Sequence, residues 1–204
     1  MPESALQPLS RLVQPFSGNK PGWNLQEVQG RLIEISEPHP VAALSFCFLL
    51  VREVQMAGNY AAWVGSMDST FYPPDAEKSG IDLRNLPVLR LTDARSLGRA
   101  TEILLRSGAF QLVLLDLGRD HAIPVARLAQ LNGLVRKHNA CAVFMTRKQH
   151  DEQSVGPLIS LHAQTSRQRV ETNSFSCQLK ILRDKRRGKK WTWQTRLSGV
   201  EGYY

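Results

Sequence analysis

The chain has 204 residues, enough for one sizeable core, and its 42% hydrophobic and 22% charged content excludes wholesale disorder. No apolar run reaches the ~18–20 uncharged residues that a membrane-crossing helix needs; the longest, 41–51, is too short. The net charge of +8 is uneven: residues 147–204 hold 12 Lys and Arg against five Asp and Glu, a net +7, while the first 146 residues carry +1, so a polyanion partner would meet the last quarter of the chain.

Residues 1–24 carry Pro2, Pro8, Pro15 and Pro21 in a mostly polar stretch and are expected to form an arm outside the main core. The first 20 residues have no continuous apolar segment of the signal-peptide kind. Core elements are expected over 25–198, with a short exposed tail at 199–204. Residues 25–30 lead into an apolar run at 32–35, which predicts a buried strand. A polar turn with two prolines follows at 36–40, then a long apolar helix over 41–58 that Gly58 closes. A second strand is predicted at 60–64, a loop at 65–74, a short helix at 75–79 and a third strand at 86–91. The helical period returns at 96–106 and again at 123–137, with strands between and after at 110–115 and 140–145. Near-continuous apolar strands alternating with helices predict an α/β fold with a mostly parallel central sheet covered on both faces. From residue 158 the pattern changes to strands without helices, at 158–163, 170–183 and 191–197. Leu179 and Ile181, then Trp191 and Trp193, alternate with polar residues, as in an antiparallel hairpin.

The turn after the first strand is where ligands sit in an open α/β sheet. A phosphate-binding loop would read G-x-x-x-x-G-K-[ST] there; this chain has EPHPVAAL over 37–44. The two glycine positions hold Glu37 and Ala42, the lysine position Ala43, and the Ser/Thr position Leu44. Pro38 and Pro40 lack backbone donors, and an unpaired Glu37 would repel phosphate. No nucleotide cofactor and no ATPase activity are therefore expected: the frame of an ATPase stands without its ATP site. Asp116 ends the strand at 110–115, where an acid can hold Mg²⁺ or simply accept backbone N–H bonds; with no phosphate loop beside it, the structural role is favoured. The five histidines form no triad spacing with an acid and a nucleophile, and no Cys/His cluster suggests a metal. Cys47, Cys141 and Cys177 are scattered, as expected of reduced thiols in a cytoplasmic protein. The strongest functional candidate is the block Arg183, Lys185, Arg186, Arg187, Lys189 and Lys190, followed by Trp191 and Trp193. Its cations could neutralise the phosphates of DNA; the alternative is a solvated hairpin tip. Both tryptophans share one face and are expected in the core or at an interface.

Four segments carry a family resemblance: GRLIEI at 30–35, EKSGIDLRNLPVLRLTD at 77–93, RSGAFQLVLLD at 106–116 and LKILRDKRRG at 179–188. Their order and spacing over residues 24–187 resemble the RecA recombinase core and, within it, the ImuA-like branch of bacterial damage-response proteins. On this resemblance Asp116 matches the Walker B position. The catalytic glutamate falls on Met67, with Asp68 beside it, and the γ-phosphate sensor falls near Arg147. The two loops that hold single-stranded DNA match 118–124 and 148–156 and look short. The resemblance implies an ATP-independent, non-catalytic accessory in SOS mutagenesis and translesion synthesis. Its implied partners are a catalytically inactive Y-family polymerase homologue and an error-prone C-family polymerase. DNA, RecA and further copies of the chain stay open as partners, and no membrane is expected. Two other functions stay open as well: a modulator of recombinase filaments and a divergent DNA-dependent ATPase.

Overall fold

The computed structural model describes residues 22–37, 41–69, 71–118, 123–148, 152–171, 174–188 and 190–198. The expected arm, apart from residues 22–24, and the expected tail lie outside them. Asn24 opens the first element: its side-chain oxygen accepts the Glu27 N–H at 2.9 Å and caps α1 (Leu25–Val28). A single turn is too short to display a helical period, so the sequence reading assigned no element there. The expected alternation then follows: β1 (Arg31–Ser36), α2 (Val41–Met56), β2 (Tyr60–Ser66), α3 (Pro73–Lys78), a 3-10 turn at Leu83–Asn85, β3 (Val88–Leu91), α4 (Ala94–Arg106), β4 (Phe110–Gly118), α5 (Val125–Lys137) and β5 (Cys141–Thr146). Gly58 adopts φ +74°, the left-handed conformation that ends α2 without a Cβ clash. β3 starts two residues later than the sequence suggests. Pro87 has no N–H to give the ladder, and only its carbonyl takes part, accepting from Trp63 N–H at 2.9 Å.

The eight strands form one sheet in the order β3-β2-β4-β5-β1-β6-β7-β8. β3 to β6 (Leu161–Glu171) run parallel; β7 (Ser174–Asp184) and β8 (Thr192–Ser198) extend the sheet antiparallel. β1 is central, with Ile33 between Val143 of β5 and Leu161 of β6. Alternation along the strands divides the core in two. Ile33, Ile35, Ala61, Trp63, Leu112, Leu114 and Val143 pack with α1, α2 and α3. Leu32, Val64, Val113, Leu115, Ala142 and Phe144 pack with α4 and α5. Both faces of the central strands are covered, which is why they read as continuous apolar runs. No helix of the described residues is long and apolar enough to cross a membrane.

The late strands differ from expectation. β6 is 11 residues long, not the six at 158–163, and β7 begins at Ser174 rather than 170. Residues 166–171 are all exposed. They are held as strand by their ladder with β7, not by core contact, and so display no burial period.

This antiparallel extension is fastened to the parallel sheet by one buried ion pair. Arg31, 2% exposed at the start of β1, donates from Nη2 to Asp184 Oδ1 at 2.5 Å at the end of β7. Its remaining donors reach the Ser160 hydroxyl at 2.9 Å, the Ser160 carbonyl at 3.0 Å and Glu27 Oε1 at 3.4 Å. Asp184 also accepts from Trp191 Nε1 at 3.0 Å and from the Arg186 and Arg187 N–H groups at 3.0 and 3.3 Å. Burial alone would raise the Asp184 carboxyl, but the Trp191 and Arg31 bonds outweigh it and hold it below the usual carboxylate range. Removing one partner strands the other charge, so Asp184→Ala should cost about 3–5 kcal/mol, read as a fall in the urea midpoint. The depressed carboxyl stabilises the fold above its unfolded pKa of about 3.9. That stabilisation is lost as pH falls through the lower folded value, so wild type should weaken below about pH 4 more steeply than Asp184→Asn.

Candidate functional site

The carboxyl ends of β1, β4, β5 and β6 meet at one edge of the sheet, the usual ligand-binding edge of a parallel α/β domain. Glu37 follows directly on β1 and is 8% exposed. Its N–H donates to the Thr146 carbonyl at 3.0 Å, which continues the ladder with β5. Its Oε2 accepts the Ala43 N–H at 2.9 Å and the Thr165 hydroxyl at 2.5 Å. This corrects the expectation of an unpaired anion: Glu37 is bonded to α2 and to β6. Burial pushes its carboxyl above the ordinary range, against the pull of those bonds. Ala42 and Ala43 are buried in the α2-side core, and Leu44 packs against it half-buried. Residues 38–40, the rest of the turn, lie outside the described residues.

Asp116 sits within β4, buried, with its Oδ2 accepting the Ser69 hydroxyl at 2.7 Å. The sequence reading expected backbone donors; this donor is a side chain from the loop after β2. Gly65 makes the approach possible, because a Cβ there would lie 2.6 Å from Ser69 Oγ. Met67, at the position that the resemblance gives to a catalytic acid, is 62% exposed. Arg147 donates from Nη2 to the Asp68 carbonyl at 3.1 Å, tying the end of β5 to the same loop.

A second polar cluster was missed in the sequence. Glu34, fully buried in β1, accepts from Thr146 Oγ1 at 3.1 Å, Lys148 Nζ at 3.3 Å, Ser154 Oγ at 2.5 Å and the Val155 N–H at 2.8 Å. Beside it His162 Nε2 lies 3.1 Å from Ser36 Oγ, and burial pushes the His162 imidazole below its usual range. The available signal was the acid itself: a glutamate inside the strand RLIEIS must find buried donors. Both described ends of the loop after β5 are thus pinned to β1, at Lys148 and at residues 154–155.

The basic block is brought together, though largely by internal bonds. Arg187 pairs with Glu27 at 2.5 Å. Arg186 donates to the Glu27 and Gln29 carbonyls at 3.2 and 2.8 Å. Arg183 reaches the Ile159 carbonyl at 3.5 Å, and Lys185 donates to that of Pro157. Lys190 is exposed, and Lys189 lies outside the described residues. Arg187 is paired with a carboxylate, whereas a carbonyl leaves the charge of its donor uncompensated. Trp191 and Trp193 turn inward together, as expected: Trp191 bonds Asp184, and Trp193 packs edge-on to Phe46 at 5.7 Å. The opposite face of the hairpin sheet holds what the sequence reading did not single out. Three cross-strand rows stand there: Gln164, Lys180 and Thr192; Ser166, Gln178 and Gln194; Gln168, Ser176 and Arg196. These rows contain two cations, amides and hydroxyls, with no carboxylate and no apolar side chain; Gln164, at the inner end of the first row, is buried. The period-two alternation of β7 and β8 was the signal for Lys180 and Arg196.

No family model matches the chain. It is similar to Protein RecA of Cytophaga hutchinsonii, 25% identical over 138 residues, covering 58% of this chain and 39% of that protein. Protein RecA of Allochromatium vinosum is 27% identical over 138 residues, covering 58% and 40%. Protein RecA of Caulobacter vibrioides is 33% identical over 88 residues, covering 43% and 24%. The core of this chain is RecA-like. The chain spans about two fifths, or less, of the length of these RecA proteins. The mostly parallel sheet with its antiparallel late strands agrees with a RecA-like fold.

Within this RecA-like core, Glu34→Ala should strip the acceptor from four donors at once. The expected result is a loss of about 3–5 kcal/mol in denaturant unfolding, with accelerated hydrogen exchange at Val155. Unchanged exchange at Val155 would mean that Glu34 does not hold the loop.

Proposed function

We propose that this is a non-catalytic RecA-like protein of the DNA-damage response that works without ATP, as an accessory of translesion synthesis. One observation carries the reading. At the turn after β1, the positions where a phosphate loop has its second glycine and its lysine hold Ala42 and Ala43, both buried in the core, and the hydroxyl position holds Leu44. No side chain at those positions can donate to a phosphate or ligate Mg²⁺. Met67 at the catalytic-acid position cannot take a proton from water. Glu37 adds a negative charge on the spot.

The retained basic hairpin supports direct contact with DNA. Phosphate oxygens are bound by Arg and Lys together with Ser, Thr and Gln side chains, the set found on the three rows of the hairpin face. A protein interface would need an apolar or aromatic centre, and these rows have none. With the tryptophans turned inward, no exposed ring from the hairpin stands ready to stack on bases, so contact would be with the backbone and independent of sequence. By the resemblance of the four segments, the protein partners are an inactive Y-family polymerase homologue and an error-prone C-family polymerase. Capture of these polymerases from a damaged-cell extract is the test of that part.

Titration against single- and double-stranded DNA over a salt series, with and without ATP and Mg²⁺, tests the rest. Binding is expected without ATP and unchanged by it. The double variant Lys180→Ala, Arg196→Ala should keep the wild-type Tm, bind less tightly and reduce the log–log salt slope by about 1.8. Arg186→Ala with Arg187→Ala should instead lower the Tm, because both side chains brace α1. ATP hydrolysis by the wild type would sink the non-catalytic reading. Equal DNA affinity for wild type and the Lys180/Arg196 variant would remove the hairpin face as the contact.

A further inference from the structure

The first N–H groups of a helix have no partner within it and carry its positive end. Where such a helix follows a strand of a parallel sheet, that end commonly meets a bound anion. In this chain it meets a side chain of the chain itself. Glu37 stands at the end of β1, four residues before the first residue of α2. Its Oε2 lies 2.9 Å from the Ala43 N–H and 2.5 Å from Thr165 Oγ1 of β6. Burial raises the Glu37 carboxyl; its bonds and, more weakly, Arg167 two residues further along β6 act against that, and Arg167 lays its guanidinium over the Phe175 ring of β7 at 3.7 Å. An ordinary cap is the residue directly before the helix and serves that helix alone. Glu37 reaches back from the strand and also takes a hydroxyl from a third element. Pro40, directly before α2, has no side-chain acceptor to offer.

We propose that Glu37 is a built-in replacement for a ligand anion: its carboxylate fills the positive end of α2, bonds it to β6, and so closes the turn to nucleotide phosphates. This rests on the ATP-independent reading and adds a residue and a consequence to it. Helix α2, strand β6 and the hairpin that follows are held in one arrangement, whatever nucleotide is present. A ligand anion comes and goes with concentration; a side-chain carboxylate does not.

Thermal unfolding of the full chain tests this, with sodium formate or inorganic phosphate added at constant ionic strength. Glu37→Ala leaves the Ala43 N–H and the Thr165 hydroxyl without their acceptor, and the Tm should fall by at least about 2–4 °C. Formate or phosphate should restore it saturably in Glu37→Ala and leave the wild type unmoved. Should Glu37→Ala not fold, Glu37→Asp serves: one methylene shorter, it cannot keep both bonds, and a smaller fall with partial formate rescue is expected. A variant as stable as wild type, or equal anion effects on variant and wild type, would overturn the proposal. ATP binding by the wild type would overturn the ATP-independent reading as well. A stable Glu37→Ala with no ATP binding by wild type would overturn the role of Glu37 alone.

Discussion

Arg31 and Asp184 meet in a place water does not reach, and this pair ties the late hairpin to the first strand of the parallel sheet. Residues 166–171 of β6 are exposed, and beyond that strand β7 ladders with β6 and β8 with β7. Their inward side chains, Leu179, Ile181 and Trp193, need the α1–α2 layer to pack on. The ion pair sets the height at which they meet it. A buried pair of this kind adds little to stability over a well-packed apolar substitute, and its gain is in position. Here the position is defined from several directions: Asp184 gathers an indole N–H and two backbone N–H groups, and Arg31 gathers Ser160 and Glu27. The first strand, the start of β6 and the hairpin turn are joined at one charge.

The same economy of charges recurs at the opposite end of β1. Along that strand and just past it, Arg31, Glu34 and then Glu37 are each buried, and each has at least one partner more than 100 residues away in sequence. Arg31 holds the hairpin, Glu34 holds the loop after β5, and Glu37 holds α2 to β6. The RecA-like core is thus braced by its own side chains along β1 and just beyond its carboxyl end. The outer face of the hairpin carries Lys180 and Arg196 among amides and hydroxyls.

Legibility in the sequence followed burial. β1, β4 and β5 are covered on both faces, so their residues are largely apolar, and each was found within a residue except the carboxyl end of β4, which runs on through Asp116 to Gly118. The helices α4 and α5 each press one face on the sheet and show the 3.6 period, while α2 was legible as a long apolar run that Gly58 closes. The outer part of β6 could not be found this way, since a strand held only by backbone bonds places no constraint on its side chains. α1 was missed for shortness. At the site, the absence of a G-x-x-x-x-G-K-[ST] pattern over 37–44 was plain from residue types alone, and so was the cationic character of the turn after β7.

What the sequence determined by itself was therefore the class of fold, the residue types around the turn after β1 and the placing of positive charge near the end of the chain; each depends on residue type and local period. The tertiary structure alone decided what the charges touch. Glu37 looked like a lone repelling anion and is a bonded bridge, because its second donor, Thr165, is 128 residues away. Arg186 and Arg187 looked free for phosphates and are turned to α1, because the Arg31–Asp184 pair brings the hairpin turn against Glu27 and Gln29. Lys180 and Arg196 became neighbours of one face only when β7 paired with β8. Partners this far apart in sequence leave no local trace, so the sequence could name the charged residues but not the atoms that receive them.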